Sequence, residues 1–264
     1  MNFTNKTIWI TGASSGIGKA LALALSKKEV NLILSARNSN QLEEVKLLCH
    51  NPECVKILPL DLAMWKKASH WVKDALDLFG GVDILINNAG ISQRSLAAET
   101  DLEVDERIFR VNYFGTVALT KALLPHFIEK KAGHIVVVTS VVGRVATPLR
   151  SSYSASKHAL HGFFDSLRAE VYDDHIRVTL ICPGFVNTNI SKNALMGDGS
   201  EQGTLDKATK NGLSPEYFAN KAVKVIQKEK QEVVIGGALE VLAVYLKRFF
   251  PLILAKMLRK VNVT

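Results

Sequence analysis

The stretch Thr11-Gly12-Ala13-Ser14-Ser15-Gly16-Ile17-Gly18 decides the fold. A β-branched run, Thr7–Thr11, leads into it. A segment with apolar residues every three or four positions, Ile17–Lys28, follows at once. Small residues between a strand and a helix let the backbone turn tightly and approach a pyrophosphate. The helix N-terminus then offers free N–H groups and partial positive charge to the phosphates. Gly12, Ser14, Ser15, Gly16, Ile17 and Gly18 are therefore the first candidate cofactor contacts. A P-loop does not fit: Gly18-Lys19 is followed by Ala20, not a magnesium-binding hydroxyl, and Ala13 stands where that motif needs its first glycine.

Outward from this turn the chain repeats the same alternation. Short apolar runs recur at Asn31–Ala36, Val55–Leu60, Val82–Asn87, His134–Ser140, Arg177–Cys182 and Glu232–Gly236. Several are apolar without a break, as in Ile135-Val136-Val137-Val138, which suits parallel strands covered on both faces. Helical periodicity fills the gaps at Leu42–Cys49, Ala63–Phe79, Leu102–Lys130, Ser154–Tyr172 and Pro215–Lys228. The pattern predicts an α/β, Rossmann-type, doubly wound parallel β-sheet of about seven strands, with helices on both faces of a single domain over 1–237. One stretch breaks the rhythm. Residues 187–214 are rich in Asn, Ser, Gly and Lys and follow a strand end, where open α/β sheets bind ligands, so they are expected to form a substrate lid.

The end of the second strand bears on the cofactor. An acid about 20 residues past the glycines would hold the ribose 2′-OH of NAD. Here the strand ends in Ser35-Ala36-Arg37-Asn38 with no acid. Arg37 supplies a cation where a 2′-phosphate would lie, with Ser35 and Asn38 as added hydrogen-bonding groups. NADP(H) is the expected cofactor and NAD(H) the alternative.

Tyr153 and Lys157 stand four apart and share a helical face. A free phenol has a pKa near ~10, and a nearby ammonium favours phenolate, so such a pair can exchange a proton with an alkoxide. Ser140 ends the fifth strand thirteen residues earlier, where a hydroxyl can orient a substrate carbonyl. Asn87-Asn88-Ala89-Gly90 ends the fourth strand at the same sheet edge, and Asn112 follows in the next helix.

With these motifs in order, the chain resembles a short-chain dehydrogenase/reductase of the ordinary short branch. The similarity runs from Thr7 to about Gly237. The resemblance implies that Tyr153 is the general acid/base, that Lys157 lowers its pKa and holds the nicotinamide ribose, and that Ser140 positions the carbonyl. It implies that Asn112 holds a water in a proton relay, that Asp61 and Leu62 lie beside the adenine, and that Asn88, Ala89 and Gly90 line the adenosine side. Pro183, Gly184, Val186 and Thr188 would bracket the nicotinamide. Members that bind NADP often carry a base within the glycine turn; Ser15 stands there instead.

Apolar walls favour a lipophilic ketone or alcohol. Ile91, Gln93, Arg94, Val141, Val142, Leu149 and Phe185 are expected to face it, with Arg94 and Arg144 able to meet an acidic head group. Ser140, Tyr153 and Lys157 together argue against a cofactor-binding scaffold without turnover. The three cysteines, Cys49, Cys54 and Cys182, have no zinc spacing, and no metal is expected. The first residues lack a secretory signal pattern, which points to a cytoplasmic protein, and a homo-oligomer (dimer or tetramer) is expected. Net charge is +8, and Lys247, Arg248, Lys256, Arg259 and Lys260 fall in a tail with no acid after Glu240. No nucleic-acid motif accompanies this charge. The tail, 238–264, reads as a basic amphipathic helical extension broken at Pro251, a pattern suited to peripheral membrane contact or to packing on protein. It resembles the dehydrogenase/reductase family member 7 group, whose members are linked to lipophilic carbonyl substrates.

Overall fold

The structure, a computed structural model, describes residues 1–259. Its elements run β1 (Lys6–Thr11), α1 (Gly16–Leu25), β2 (Val30–Ser35), α2 (Ser39–Leu48), β3 (Val55–Ile57), α3 (Ala68–Phe79), β4 (Ile84–Asn87), α4 (Leu102–Phe109), α5 (Thr116–Lys130), β5 (Gly133–Val138), α6 (Ser151–Glu170), β6 (Ile176–Pro183), α7 (Lys207–Lys210), α8 (Pro215–Gln227), β7 (Glu232–Ile235), α9 (Ala238–Phe249) and α10 (Pro251–Leu258). The seven strands form one sheet in the order β3-β2-β1-β4-β5-β6-β7, and every pairing is parallel. The chain reverses its winding between β1 and β4, which opens a crevice at the strand C-terminal ends.

Both faces of the sheet are covered, as the unbroken apolar strands require. Ile8, Ile10, Leu32, Leu34, Ile84 and Ile86 pack with α1, α2 and α8 on one side. Trp9, Ile33, Leu85, Ile135 and Val137 pack with α3, α5 and α6 on the other. Trp9 is fully buried, and its indole N–H donates to Ser35 Oγ at 2.8 Å.

Two departures from the sequence expectation matter for the site. The single helix expected over Leu102–Lys130 is split by a π-helical turn, Arg110–Gly115, between α4 and α5. The 187–214 segment is also more structured than its composition suggests. It contains α7, and it pairs by single bridges to Gln93 and within itself through Leu195 and Glu201. Leu195 joins Val104 and Ile108 in a small core of their own.

Candidate active site

The phosphate turn owes its shape to close backbone approaches. Gly12 has φ +66°, and a Cβ there would sit 2.8 Å from Ala89 Cα. A Cβ on Gly18 would lie 2.1 Å from the Gly12 carbonyl oxygen, so only glycine lets α1 start against the turn. Asn88 clamps turn and sheet together: its Nδ2 donates to Thr11 O at 3.0 Å and to Gly12 O at 3.3 Å. Ser15, at the head of α1, makes no side-chain cap, and no acid occupies the first turn. The unmet N–H groups and positive dipole end suit a phosphate. Ser14 is half-buried beside Ser15, and Gly16 meets the Thr188 side chain, where a Cβ would come within 3.1 Å of Cγ2. This turn fits the pyrophosphate of a dinucleotide.

At the end of β2 the structure narrows the expectation. Ser35 is buried beneath Trp9, and Asn38 accepts from Gln41 N to cap α2. Both side chains are thus engaged by protein, while Arg37 is exposed. Asp61 accepts from Ala63 N at 3.0 Å, while Leu62 is buried against Gly115. Pro183 ends β6, and Gly184 donates its N–H to Ile235 O at 2.9 Å. Val186, buried, pairs by a bridge with Leu213.

The residues expected to transfer the proton meet at the end of β5 and the start of α6. Tyr153 is buried in the first turn of α6, and Lys157 lies one turn on with its Nζ 5.9 Å from the Tyr153 ring centroid. Burial pushes the phenol above its ordinary value; a hydrogen bond with Ser140 and the Arg94 and Arg150 guanidiniums pull the other way. Lys157 is pushed down to about 8 by burial, and its ammonium donates to Val138 O at 3.1 Å. Ser140 Oγ accepts from Val142 N at 3.3 Å, which fixes the tight turn after β5. Asn112, fully buried in the π turn, is locked on three bonds: Oδ1 accepts from Ile91 N at 2.9 Å, and Nδ2 donates to Ile91 O at 3.0 Å and Ser156 Oγ at 3.1 Å. Gly90 leaves room beside them; a Cβ there would lie 3.1 Å from Asn112 Oδ1 and 3.4 Å from Lys157 Nζ.

Three of the residues expected to meet the substrate have their polar ends engaged by protein. Gln93 is fully buried, with its amide bonded to the head of α6 and to neighbouring hydroxyls. Arg94 is buried on Asp206, with Nε and Nη2 donating to Oδ2 at 2.8 and 2.6 Å. Their polar ends are committed to protein. Arg144 likewise pairs with Glu232 through two bonds. Val142 and Leu149 are half-buried, Val142 beside Ser140, and the Arg150 guanidinium stacks 5.6 Å over the Phe185 ring. His161, Cys182 and Glu232 bring one donor atom each within 4.8 Å of one another, but Glu232 is already held by Arg144. Nothing in the linear pattern marks Ser156 or the Val138 carbonyl as partners of Asn112 and Lys157, because both contacts are made by tertiary approach.

The family model for short chain dehydrogenases matches residues 6–198. The chain belongs to the short-chain dehydrogenase/reductase family. Relatives within that family are close over most of their length. The chain is 44% identical over 259 residues to the dehydrogenase/reductase SDR family protein 7-like of Anopheles gambiae, covering 95% of this chain and 81% of that one. It is 42% identical over 257 residues to the dehydrogenase/reductase SDR family member 7B of Bos taurus, covering 94% and 78%. Among solved family structures, an alcohol dehydrogenase of the archaeon Thermococcus sibiricus, complexed with 5-hydroxy-NADP, superposes with TM-score 0.74 at 27% identity, covering 88% of this chain and 97% of that one. A short-chain dehydrogenase/reductase of Burkholderia phymatum in complex with NAD gives TM-score 0.84 at 22% identity, covering 100% and 98%, a likeness of fold. This short-chain dehydrogenase/reductase chain is accordingly an oxidoreductase.

Proposed function

We propose that the protein is an NADP(H)-dependent reductase or dehydrogenase acting on a lipophilic carbonyl or alcohol, with Tyr153 as its general acid/base. The observation that carries this reading is the buried Tyr153 phenol, which Ser140 helps draw back toward its ordinary acidity, with Lys157 one helical turn away, at the C-terminal edge of a parallel sheet. Bound at the glycine turn, the nicotinamide cofactor supplies or accepts the hydride. Ser140 holds the carbonyl oxygen, and the Tyr153 hydroxyl gives that oxygen its proton in reduction or takes it back in oxidation. Lys157, held by Val138 O, places its charge beside the phenol and the ribose position. Asn112, its amide held by Ile91 and Ser156, lies with Lys157 beside Gly90, where a proton relay would run.

NADP(H) is favoured over NAD(H) by Arg37 and by the absence of an acid at the end of β2. The Thermococcus sibiricus relative bound to an NADP derivative is consistent with that choice. Residues 187–214 act as the lid, latched to the body through Arg94 and Asp206. The tail is read as a peripheral membrane face on a cytoplasmic protein: no residue of α9 and only Leu254 of α10 is buried, while Leu239, Tyr245, Phe249, Phe250 and Leu252 stand exposed beside Lys247, Arg248 and Lys256. Among the described residues no helix is long and apolar enough to cross a membrane. A homo-oligomer remains part of the reading, checked by light scattering.

The test is NADPH oxidation across a panel of carbonyls graded in apolar area. Turnover that rises with apolar area supports the reading. Turnover confined to small charged carbonyls contradicts the substrate class.

A further inference from the structure

Helix α6 begins without a cap of its own. Its N-cap, Arg150, makes no side-chain bond to the helix backbone, and the first helical carbonyl–amide bond runs from Ser154 N to Arg150 O at 2.8 Å. The N–H groups of Ser152 and Tyr153 therefore have no partner within the helix. Both point at Gln93, 59 and 60 residues earlier, whose Oε1 accepts from Ser152 N at 2.9 Å and Tyr153 N at 3.4 Å. The amide orientation is fixed by chemistry: backbone N–H groups cannot accept, so the atom facing them is oxygen. The other end of the amide faces three hydroxyls, Ser95 at 3.2 Å, Thr100 at 3.0 Å and Ser151 at 3.3 Å. Gln93 itself is pinned from both sides. Leu195 N donates to Ser92 O at 2.9 Å, and Arg94 N donates to Leu195 O at 2.8 Å.

We propose that Gln93 is a positioning residue for the reaction: its side-chain carbonyl caps α6 from outside the helix and sets the height of the Tyr153 hydroxyl against Ser140. The residue is fully buried, and both ends of its amide are bonded to protein. It acts through the backbone of the residue that carries the proton, and it ties that backbone to the segment on which the lid rests. A capping oxygen withdrawn from the first turn lets it fray or shift. A displacement of the order of 1 Å at the reacting oxygens costs roughly 100-fold in rate.

The inference rests on Tyr153 as acid/base, and its test separates the two. Three variants, Gln93→Met, Gln93→Glu and Tyr153→Phe, are compared with wild type by NADPH affinity and by kcat for the apolar diketone benzil. The Tyr153 phenol is also titrated, by ultraviolet difference between each Gln93 variant and the same variant with Tyr153→Phe. Gln93→Met keeps length and removes the acceptor; kcat is expected to fall roughly 10- to 100-fold, with NADPH affinity within about twofold of wild type. Gln93→Glu restores the acceptor and adds negative charge at the first turn. It is expected to recover most of the lost kcat and to move the phenol titration to higher pH, since a neighbouring anion opposes phenolate. The proposal is overturned if Gln93→Met keeps wild-type kcat, or if it loses NADPH affinity in proportion to kcat. An unmoved phenol titration in Gln93→Glu overturns it too, and that arm needs neither turnover nor a stable Met variant. Full activity in Tyr153→Phe would instead sink the acid/base reading itself.

Discussion

At the residue scale, each polar side chain at the sheet edge is either engaged by protein or open to a ligand, and that division sorts the site. Arg37 is on the open side. Replacing it with alanine should weaken NADPH by about 10-fold or more and leave NADH nearly unchanged, because a guanidinium–phosphate contact is charge-assisted and only one of the two cofactors carries the 2′-phosphate. Isothermal titration with both cofactors checks this; equal losses would remove Arg37 from the cofactor site. Tyr153, Lys157, Ser140 and the glycine turn are legible in sequence because their spacing is local. Gln93 is not. A polar residue just past a strand end looks like a substrate contact, and nothing in the linear pattern says that its amide reaches a helix 59 residues on. Ser35 misleads in the same way, since Trp9 claims its hydroxyl.

Among the elements, the 187–214 segment, proposed as a lid, is held by a buried ion pair. Arg94 and Asp206 keep 5% and 1% of their side-chain surface, and Gln202 Nε2 and Arg150 Nη2 add bonds to Asp206 at 2.8 and 3.4 Å. Burial works against the Asp206 charge, but these donors outweigh it and hold the carboxyl below its ordinary value. Stability from this group is therefore present above the unfolded carboxyl pKa and lost as pH falls through the lower folded one. Asp206→Asn leaves a guanidinium buried without its carboxylate and should cost ~3–5 kcal/mol, with faster proteolysis inside 187–214. A urea midpoint equal to wild type would show that the latch contributes nothing. The 187–214 segment is visible in sequence only as a break in the strand–helix rhythm. The π turn is invisible there, because apolar periodicity runs straight through Arg110–Gly115 and the extra residue shows only when Asn112 is seen turned to Ile91. The break before α10 is legible from Pro251. Lys260 and the end of the extension lie outside the described residues. The membrane reading of α9 and α10 predicts that the protein floats with anionic vesicles and that Leu239→Glu with Phe249→Glu releases it; flotation unchanged by the pair would place the contact elsewhere.

For the molecule as a whole, the parallel sheet is readable because its strands are apolar on both faces, and only a two-sided cover satisfies that. Acid stability follows from what the sheet buries. His134, fully buried on β5, has Nε2 2.8 Å from Thr179 Oγ1, whose proton goes to Lys230 O at 2.7 Å. His134 must therefore donate from Nε2, and Nδ1 is left buried with no partner. Burial drives its pKa to about 3, and His161 is pushed to about 3 by burial and by Arg144. The unfolded chain binds these protons first, so stability should fall as pH drops from 6.5 toward 3. His134→Gln should flatten that fall, and unfolding curves of equal steepness in both proteins would argue against it.

The central claim is proton transfer by Tyr153, and the most direct measurement is NADPH affinity and single-turnover hydride transfer in Tyr153→Phe. NADPH should bind as in wild type, with a transfer rate lower by roughly 100- to 10,000-fold, the usual contribution of a general acid. Hydride transfer at the wild-type rate in the Tyr153→Phe variant would contradict it.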